Sequence, residues 1–284
     1  MLVNSNGLLR TALKENYAVP AYNINNLEWT RYILEACQED KSPVILAVSE
    51  GAVNYMGGYN VIRSFVVGLL NDLNISIPVV LHLDHGKSYG ACKKAIDAGF
   101  TSVMIDASSK SIEENIEETI KVVKYAKDKG VSVEAEIGSF NQVGDNQIDA
   151  NDYSTPDEAM DFVFQTNVDS LAPAIGNIHG LYKNEPKLDY ELLGSICKTV
   201  KIPLVLHGAS GLDENKIKTA IFCGISKINI NTDIQVAWSN DVKDYIKTNP
   251  TEYDPRKIIS SGKSAIKKVI HEKNNLFGSI NRAN

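Results

Sequence analysis

The sequence predicts an α/β fold of the (β/α)8, or TIM-barrel, class, built as a single domain with a C-terminal helical tail. Short apolar, β-branched runs alternate eight times with helical segments, and no linker or low-complexity stretch interrupts them. Most runs are apolar throughout, as expected for parallel strands that are buried on both faces. A length of 284 residues suits one such barrel. A doubly wound open sheet is the alternative, but it would scatter the histidines described below along one edge.

The strands and helices can be placed from local patterns. The predicted strands are 17–24, 43–49, 77–84, 102–107, 131–137, 170–176, 202–207 and 227–232. Amphipathic helices predicted between them include 27–39, 112–129, 156–166, 189–199 and 214–222. Ser111 with Glu114 forms a capping box, Pro156 stands at a first helical position, and Gly130 ends its helix. Residues 250–284 form the predicted tail.

Three of the five histidines occur in one repeated context, at the end of an apolar run and beside glycine. They are His85 in VVLHLDHG, His179 in LAPAIGNIHG and His207 in PLVLHGASG. Each alone is more simply explained as a hydrogen-bonded core or loop histidine. Three together at one end of a barrel form a ligand set for a catalytic metal with one position open to substrate. We expect His82 to face the barrel interior with a hydrogen bond, and His271 to lie at the surface.

Carboxylates end the same strands. Asp84 immediately precedes His85, and both reach the rim only if the strand ends there, as Gly86 permits. A carboxylate beside a metal can serve as general acid or base toward a substrate hydroxyl. Asp106 closes the fourth strand, and the fifth carries two glutamates, Glu134 and Glu136, on one side. These carboxylates either orient the histidines, hold the ion elsewhere, or form ion pairs within the barrel.

The loops after the seventh and eighth strands favour phosphate binding, a common role for these two loops in such barrels. They read HGASG at 207–211 and NINTD at 229–233. Gly208 allows backbone N–H groups to approach an anion closely. Thr232 and Asp233 are predicted to cap the next helix, whose N-terminus attracts negative charge. A simple turn is the alternative for either loop taken alone.

Composition narrows the function classes. The net charge is −6 and no lysine or arginine cluster stands out, which argues against nucleic acid as a partner. No apolar stretch approaches a membrane span and the first residues lack a signal-peptide pattern, so we expect a cytoplasmic protein with no membrane contact. The cysteines are far apart and lie in predicted helices, as expected for thiols in a reducing compartment. They are Cys37, Cys92, Cys197 and Cys223.

Nearly the whole chain resembles the class II, metal-dependent fructose-bisphosphate aldolases. The segments that carry the resemblance are YAVPAYNINNLEW, SPVILAVSEGA, VVLHLDHG, AIDAGFTSVMIDAS, VSVEAEIG, IGNIHGLY, PLVLHGASG, KININTD and YDPRK. LDHG, GNIHG and HGASG together are specific to this superfamily. They are less specific within it, because tagatose-bisphosphate and inositol-pathway ketose-phosphate aldolases share them.

The resemblance implies a role for each matching residue. His85, His179 and His207 would bind one catalytic zinc ion, and Asp84 would act on the C4 hydroxyl of the substrate. Asp106 and Glu136 would hold the ion in an alternative or second position, and a monovalent cation is also compatible. The implied substrate-binding residues are Asn25, Ser49, Gly180, Gly208, Ala209, Ser210, Asn229, Ile230, Asn231, Thr232 and, for the distal phosphate, Arg256.

The reaction implied is cleavage of the C3–C4 bond of a ketose 1,6-bisphosphate, most directly fructose 1,6-bisphosphate, to dihydroxyacetone phosphate and glyceraldehyde 3-phosphate. A metal ion stabilises the electrons left on the ketose fragment. The resemblance also implies a homodimer or homotetramer with contacts through the tail at 250–284. The other known route is a lysine Schiff base. No lysine ends a predicted strand, since Lys87 follows the third and Lys227 opens the eighth at the opposite face.

One segment departs from the family pattern. Members normally carry a Gly-Gly-x-Glu-Asp loop after the fifth strand, whose glutamate exchanges the C3 proton. Residues 138–152 read GSFNQVGDNQIDAND, without adjacent glycines or a glutamate, and Asp145 is the nearest acidic candidate. The alternative function is therefore a catalytically weakened relative that binds metal and sugar phosphate. A metal-dependent barrel hydrolase is a third reading, but the first strand lacks the His-x-His pair it would need.

Overall fold

The computed structural model describes residues 2–138, 153–178 and 187–283. Eight parallel strands pair in sequence order, and the first also pairs with the eighth, which closes the barrel. Helices lie between successive strands on the outside. The predicted (β/α)8 architecture is therefore confirmed, as is the helical C-terminal tail. Among the described residues, no helix combines the length and the apolar character needed to cross a membrane.

The bounds of the elements follow the chain in regular alternation. The strands are β1 Val19–Asn23, β2 Val44–Ser49, β3 Val79–Gly86, β4 Ser102–Ile105, β5 Ser132–Ile137, β6 Ser170–Pro173, β7 Leu204–Leu206 and β8 Ile225–Ile230. The helices are α1 Asn6–Glu15, α2 Leu27–Glu39, α3 Glu50–Tyr55, α4 Tyr59–Asp72, α5 Tyr89–Asp97, α6 Ile112–Lys127, α7 Pro156–Thr166, α8 Tyr190–Val200, α9 Glu214–Phe222, α10 Thr232–Thr248, α11 Pro255–Ser260 and α12 Lys263–Leu276.

Local sequence signals account for most helix bounds. The predicted capping box forms at Ser111, a second one that was not predicted forms at Thr155, and α2, α7 and α9 have the predicted limits. The eighth strand differs, because Gly224 adopts a φ of 117° that ends the preceding turn and lets β8 begin two residues earlier than predicted. Only glycine tolerates that backbone conformation readily.

The two faces of the strands line different parts of the protein interior: the core between the sheet and the helices, and the inside of the barrel. Residues such as Leu81, Leu83, Val133 and Ile228 face the helices and belong to the large apolar core. Because strand side chains alternate, the intervening residues point into the barrel, and toward the carboxyl ends these are polar. The opposite end is filled by a separate small apolar cluster that includes Leu9 of α1. The chemistry is thereby confined to one end of the barrel.

The C-terminal tail packs against the chain's own barrel. Ile266 and Ile270 of α12 are fully buried, and Asn274 accepts a hydrogen bond from the Tyr22 hydroxyl at 2.8 Å. His271 was expected to be a plain surface residue, but its Nδ1 lies 2.9 Å from Asp40 at the end of α2. The expectation was incomplete because the contact joins residues far apart in sequence.

Candidate active site

Five predicted side chains converge at the carboxyl ends of the strands, and we call them the rim cluster. Asp84, His85 and His207 each offer a ligand atom, and these atoms lie within 4.8 Å of one another. His85, Asp106 and Glu136 form a second group that meets the same limit. Since His85 belongs to both groups, one imidazole is shared between two candidate positions for an ion.

The backbone of β3 brings Asp84 and His85 to the rim together. We expected the strand to end at this point, but it continues to Gly86 with a register shift against β4 between Leu83 and Gly86. His85 adopts a φ of 51°, which non-glycine residues rarely do. This irregularity reverses the normal alternation, so neighbouring residues share one side. Backbone strain of this kind tends to persist at functional sites.

Two amides hold Asp84 in place. Asn23 of β1 and Asn229 of β8 each donate a hydrogen bond to it at 2.9 Å, one to each carboxylate oxygen. Burial opposes ionisation of Asp84, but the nearby His85 and His207 outweigh it and hold its pKa well below the usual range. Asp84 is therefore an ionised and fixed proton acceptor.

The other two carboxyls of the rim cluster share a serine. The Ser108 hydroxyl lies 2.8 Å from Asp106 and 2.9 Å from Glu136, and Lys87 and His85 also bind Asp106. Burial opposes ionisation of Asp106, but these hydrogen bonds outweigh it and keep its pKa well below normal. Burial and the adjacent Asp106 raise the pKa of Glu136 to about 8. One carboxyl of the pair is thus ionised and the other protonated at neutral pH.

The rim cluster fits a bound cation. Within the described part of the chain, the buried Oε2 atom of Glu136 has no hydrogen-bond partner. Although burial opposes protonation of His85, the negative charge of Asp84 and the Asp106 hydrogen bond raise its pKa to about 9. The proton on His85 therefore supplies positive charge that the surrounding carboxylates would otherwise receive from a bound cation. Imidazole nitrogens with carboxylate oxygens are ligands that zinc accepts.

The loop of His207 is fixed by the neighbouring loop. The Asn177 side chain donates to the His207 carbonyl at 3.0 Å. Gly208 has a φ of 68°, and a Cβ there would lie 2.0 Å from the Ile178 carbonyl oxygen. Burial lowers the pKa of His207, although Glu134 opposes this. His207 is thus held as a neutral imidazole, the form that binds metals.

Below the rim lies an interior layer made of His82, Ser102, Glu134 and Lys227, each at most 2% exposed. Lys227 was expected at the opposite face, which is wrong: its Nζ lies 2.6 Å from Glu134 inside the barrel. The earlier start of β8 and a register shift against β7 turn this side chain inward. The predicted interior position of His82 is confirmed. A lysine bound by a buried carboxylate does not offer a free amine for a Schiff base.

The predicted phosphate loops lie beside the rim cluster in sequence and are partly buried. Ala209 is fully buried, Ser210 is 6% exposed and Ile230 ends β8. Asn231, not Thr232 or Asp233, is the N-cap residue of α10, because β8 ends one residue before it. Asn231 makes no side-chain cap, and within the described residues its buried Oδ1 atom has no partner.

The remaining predicted residues fall into three groups: two at or after strand ends, one exposed on the surface, and three outside the described residues. Ser49 ends β2 and caps α3 by accepting from Ala52, and the half-buried Asn25 follows β1. Arg256 is 89% exposed and paired with Asp254 at 2.8 Å, so a single chain does not bring it to the rim cluster. Three predicted residues lie outside the described residues: His179, Gly180 and Asp145.

Three residues with clear contacts at the site were missed by sequence reasoning. Asn23 is the polar last residue of an otherwise apolar β1, a signal that could have been used. Ser108 follows Asp106 by two residues, and Asn177 precedes the GNIHG histidine by two, so their proximity to predicted ligands was also visible. Their specific partners depend on loop geometry that a sequence does not contain.

Comparison with known proteins agrees with this geometry. A family model described as fructose-bisphosphate aldolase class-II matches residues 3–282. Fructose-bisphosphate aldolases from Geobacillus stearothermophilus and Staphylococcus aureus are each 50% identical over 283 residues, covering 99% of both chains. The crystal structure of the YdjI aldolase from Escherichia coli K12 has a TM-score of 0.88 at 35% identity and 100% coverage of both chains. The chain therefore belongs to the class II fructose-bisphosphate aldolase family.

Proposed function

We propose that this protein is a zinc-dependent aldolase that reversibly cleaves fructose 1,6-bisphosphate to dihydroxyacetone phosphate and glyceraldehyde 3-phosphate. The observation that carries the proposal is the rim cluster, where Asp84 lies beside His85 and His207 within 4.8 Å. The 50% identity to curated fructose-bisphosphate aldolases over 99% of the chain supports the choice of substrate.

The chain's own residues account for the proton transfer that starts cleavage. Asp84 is ionised, buried and held by two amides, so it can accept the proton of the C4 hydroxyl as that carbon becomes an aldehyde. When bound, the zinc ion supplies a Lewis acid that stabilises negative charge on the ketose fragment. His85, His179 and His207 would hold it, with Asp106 and Glu136 available for an alternative or second position.

The two phosphates of the substrate would occupy opposite ends of the site. The segment 208–210 and the segment 229–232, which runs from the end of β8 to the first residue of α10, are proposed for the phosphate nearest the carbonyl, because α10 begins without a side-chain cap. Arg256 is proposed for the distal phosphate, with Asn25 and Ser49 near the sugar. The support for Arg256 is its motif together with the fork geometry of guanidinium.

A coupled cleavage assay tests the proposal. We expect turnover of fructose 1,6-bisphosphate that is lost on exhaustive chelation and restored by zinc, with slower turnover of tagatose 1,6-bisphosphate as the matched substrate. Activity that survives metal removal, or substrate trapped on the protein by borohydride, would contradict metal dependence. Faster cleavage of the tagatose isomer would reassign the substrate without affecting the metal site. Inositol-pathway ketose phosphates are the remaining alternative.

A catalytically weakened relative is the second candidate, and the unusual segment 138–152 favours it. If Asp145 replaces the missing glutamate, exchange of the C3 proton of dihydroxyacetone phosphate with water should be slow, because a positioned acid typically contributes about 10²–10⁴-fold. Tritium release measures this exchange. Asp145→Ala should slow it further, whereas an unchanged and fast rate would mean that another residue carries the proton.

The assembly and location complete the proposal. We propose one barrel domain over residues 1–284 that forms a homodimer or homotetramer through the tail at 250–284, with no nucleic-acid or membrane partner. A cytoplasmic location is favoured by the four cysteines, all of which are free thiols. Light scattering in solution would measure the oligomeric state, and a monomer at micromolar concentration would contradict it.

A further inference from the structure

A buried ion pair beneath the rim cluster has no part in the proton transfer described above. Lys227 and Glu134 lie 2.6 Å apart inside the barrel, with side chains 1% and 2% exposed. Transferring two charges into a protein interior costs several kcal/mol per ion, and hydrophobic residues of similar size are often as stable there. A buried ion pair at this position therefore suggests a role other than folding stability.

The pair is bound on one side by a histidine with a defined proton. Lys227 Nζ lies 3.3 Å from His82 Nε2, and His82 Nδ1 lies 2.8 Å from Ser102 Oγ. An ammonium has only donors, so His82 Nε2 must accept and Nδ1 carries the hydrogen. Lys227 therefore donates to both His82 and Glu134, which orients the carboxylate.

On the other side, the pair contacts a proposed metal ligand. Glu134 Oε1 lies 3.0 Å from His207 Nε2, while its Oε2 atom binds Lys227. An ionised carboxylate accepts and does not donate, so His207 must carry its hydrogen on Nε2. In a neutral imidazole the other nitrogen, Nδ1, then keeps the lone pair that a metal ion requires.

We propose that Glu134 and Lys227 are positioning residues that select the tautomer of His207, because the carboxylate accepts from Nε2 and leaves Nδ1 as the nitrogen that would bind the catalytic metal. The inference rests on the proposed metal site and adds two residues that act through a ligand. Partners that orient ligand histidines in this way typically contribute about 10- to 100-fold in metal affinity.

Two double variants separate this role from simple stability. Removing either charge alone would leave the other buried and unpaired, which destabilises strongly. Glu134→Gln with Lys227→Met removes both charges but keeps an oxygen that accepts from His207, and its amide group can donate to His82, which lies 3.9 Å from Glu134 Oε2. Glu134→Leu with Lys227→Met has the same charge and similar volume but no acceptor.

Zinc affinity, measured by competition with a chromogenic chelator, gives the first result. We expect the glutamine pair to bind zinc within a fewfold of the wild type, and the leucine pair to bind about 10- to 100-fold more weakly. Thermal unfolding of the metal-free forms shows whether the two variants are equally folded. Equal zinc affinities in the two double variants would overturn the inference.

A second measurement uses the wild-type protein and needs no variant. Long-range ¹H–¹⁵N spectra of the metal-free protein report which ring nitrogen of His207 carries hydrogen, with His207→Gln identifying its signals. Hydrogen on Nε2 supports the inference, and hydrogen on Nδ1 overturns it even if the enzyme is active. Conversely, hydrogen on Nε2 in a protein that cleaves no ketose bisphosphate would contradict the proposed function alone.

Discussion

The interior layer and the rim cluster lie one above the other on the same strands, yet their charges are balanced differently. On β3, β5 and β8, a member of the interior layer stands two positions before a polar residue at the rim: His82 before Asp84, Glu134 before Glu136, and Lys227 before Asn229. In the interior layer, Glu134 is bound by both Lys227 and His207. At the rim, Glu136 has a buried oxygen without a partner among the described residues.

This difference indicates that the rim cluster, and not the interior layer, is the part of the barrel that binds a ligand. Two members of the rim cluster have pKa values displaced toward their protonated forms: burial and Asp106 raise the pKa of Glu136 to about 8, and, against burial, Asp84 and Asp106 raise that of His85 to about 9. Burial opposes ionisation of Glu134, but Lys227 outweighs it and lowers the pKa. The interior layer is complete without further charge, whereas a cation would relieve the rim. Substitutions of rim residues should therefore act directly on activity, whereas substitutions in the interior layer should act on folding stability or, at Glu134 and Lys227, on metal affinity.

The largest effect is expected at Asp84. Replacing Asp84 by Asn removes the proton acceptor but preserves the size of the side chain, so kcat should fall by about 10²–10⁴-fold. Steady-state cleavage of fructose 1,6-bisphosphate measures this, with zinc content determined on the same sample. Asp97→Asn, an exposed aspartate paired with Lys93, is the matched control. A lower melting temperature with unchanged activity would mean that Asp84 serves folding stability, which would contradict the distinction between the rim cluster and the interior layer.

A smaller effect is expected at the residue that holds Asp84. Asn23→Ala removes one of the two amides bound to Asp84, and misplacement of a catalytic group by about 1 Å can cost up to about 100-fold in rate. The kcat should fall while zinc affinity stays close to that of the wild type. Asn25→Ala is the direct comparison, since the sequence alone favoured Asn25. A larger loss for Asn25→Ala would show that the contact to Asp84 is less important than a contact with the substrate.

Sequence reasoning reached the barrel and the rim because both depend on short-range patterns. Eight apolar runs separated by capped helices leave few topologies open, because crossovers between parallel strands are right-handed, and of these topologies the closed barrel gathers the histidines at one end. His85, His207, Asp106 and Glu136 were identifiable because each lies within one residue of a strand's carboxyl end, and these ends meet at one rim.

Apart from His82, whose inward position was predicted, the interior layer could not be predicted in the same way. Whether Lys227 points inward depends on a register shift between β7 and β8, and a change of one residue moves a side chain to the other face. The choice between Asn23 and Asn25 depends on where β1 ends, which hydrogen bonding to β2 decides. The positive φ of His85 is likewise a product of tertiary packing, since histidine does not prefer it.

A still smaller effect is expected at Arg256, which belongs neither to the rim cluster nor to the interior layer. Arg256→Ala should raise KM for fructose 1,6-bisphosphate by about tenfold, because a hydrogen bond between charged groups at an exposed site contributes roughly 1.5 kcal/mol, the lower end of the usual range. KM for fructose 1-phosphate, which lacks the distal phosphate, should change little. Lys257→Ala, the adjacent exposed cation, is the control. Equal increases for both substrates would mean that Arg256, paired with Asp254 in one chain, does not bind the distal phosphate.

The smallest effect tests the interior layer through pH. Burial, with Lys227 adding to it and Glu134 and Asp84 opposing, lowers the pKa of His82 to about 3. An unfolded chain has a histidine pKa of about 6.5, so below that pH the unfolded state takes up a proton that the folded state does not. Folding stability from this group is thus present above pH 6.5 and is lost as the pH falls toward 3.

The loss should amount to at most about 1.4 kcal/mol per pH unit. Urea unfolding of the metal-free protein between pH 7 and pH 5 should therefore show a steeper decline in the free energy of unfolding for the wild type than for His82→Gln. Glutamine can still bond to Ser102 and Lys227, and the offset at pH 7 corrects for altered packing. Parallel curves would mean that His82 is protonated in the folded state. Lys227 could not then donate to it, and the interior layer would be as incomplete as the rim.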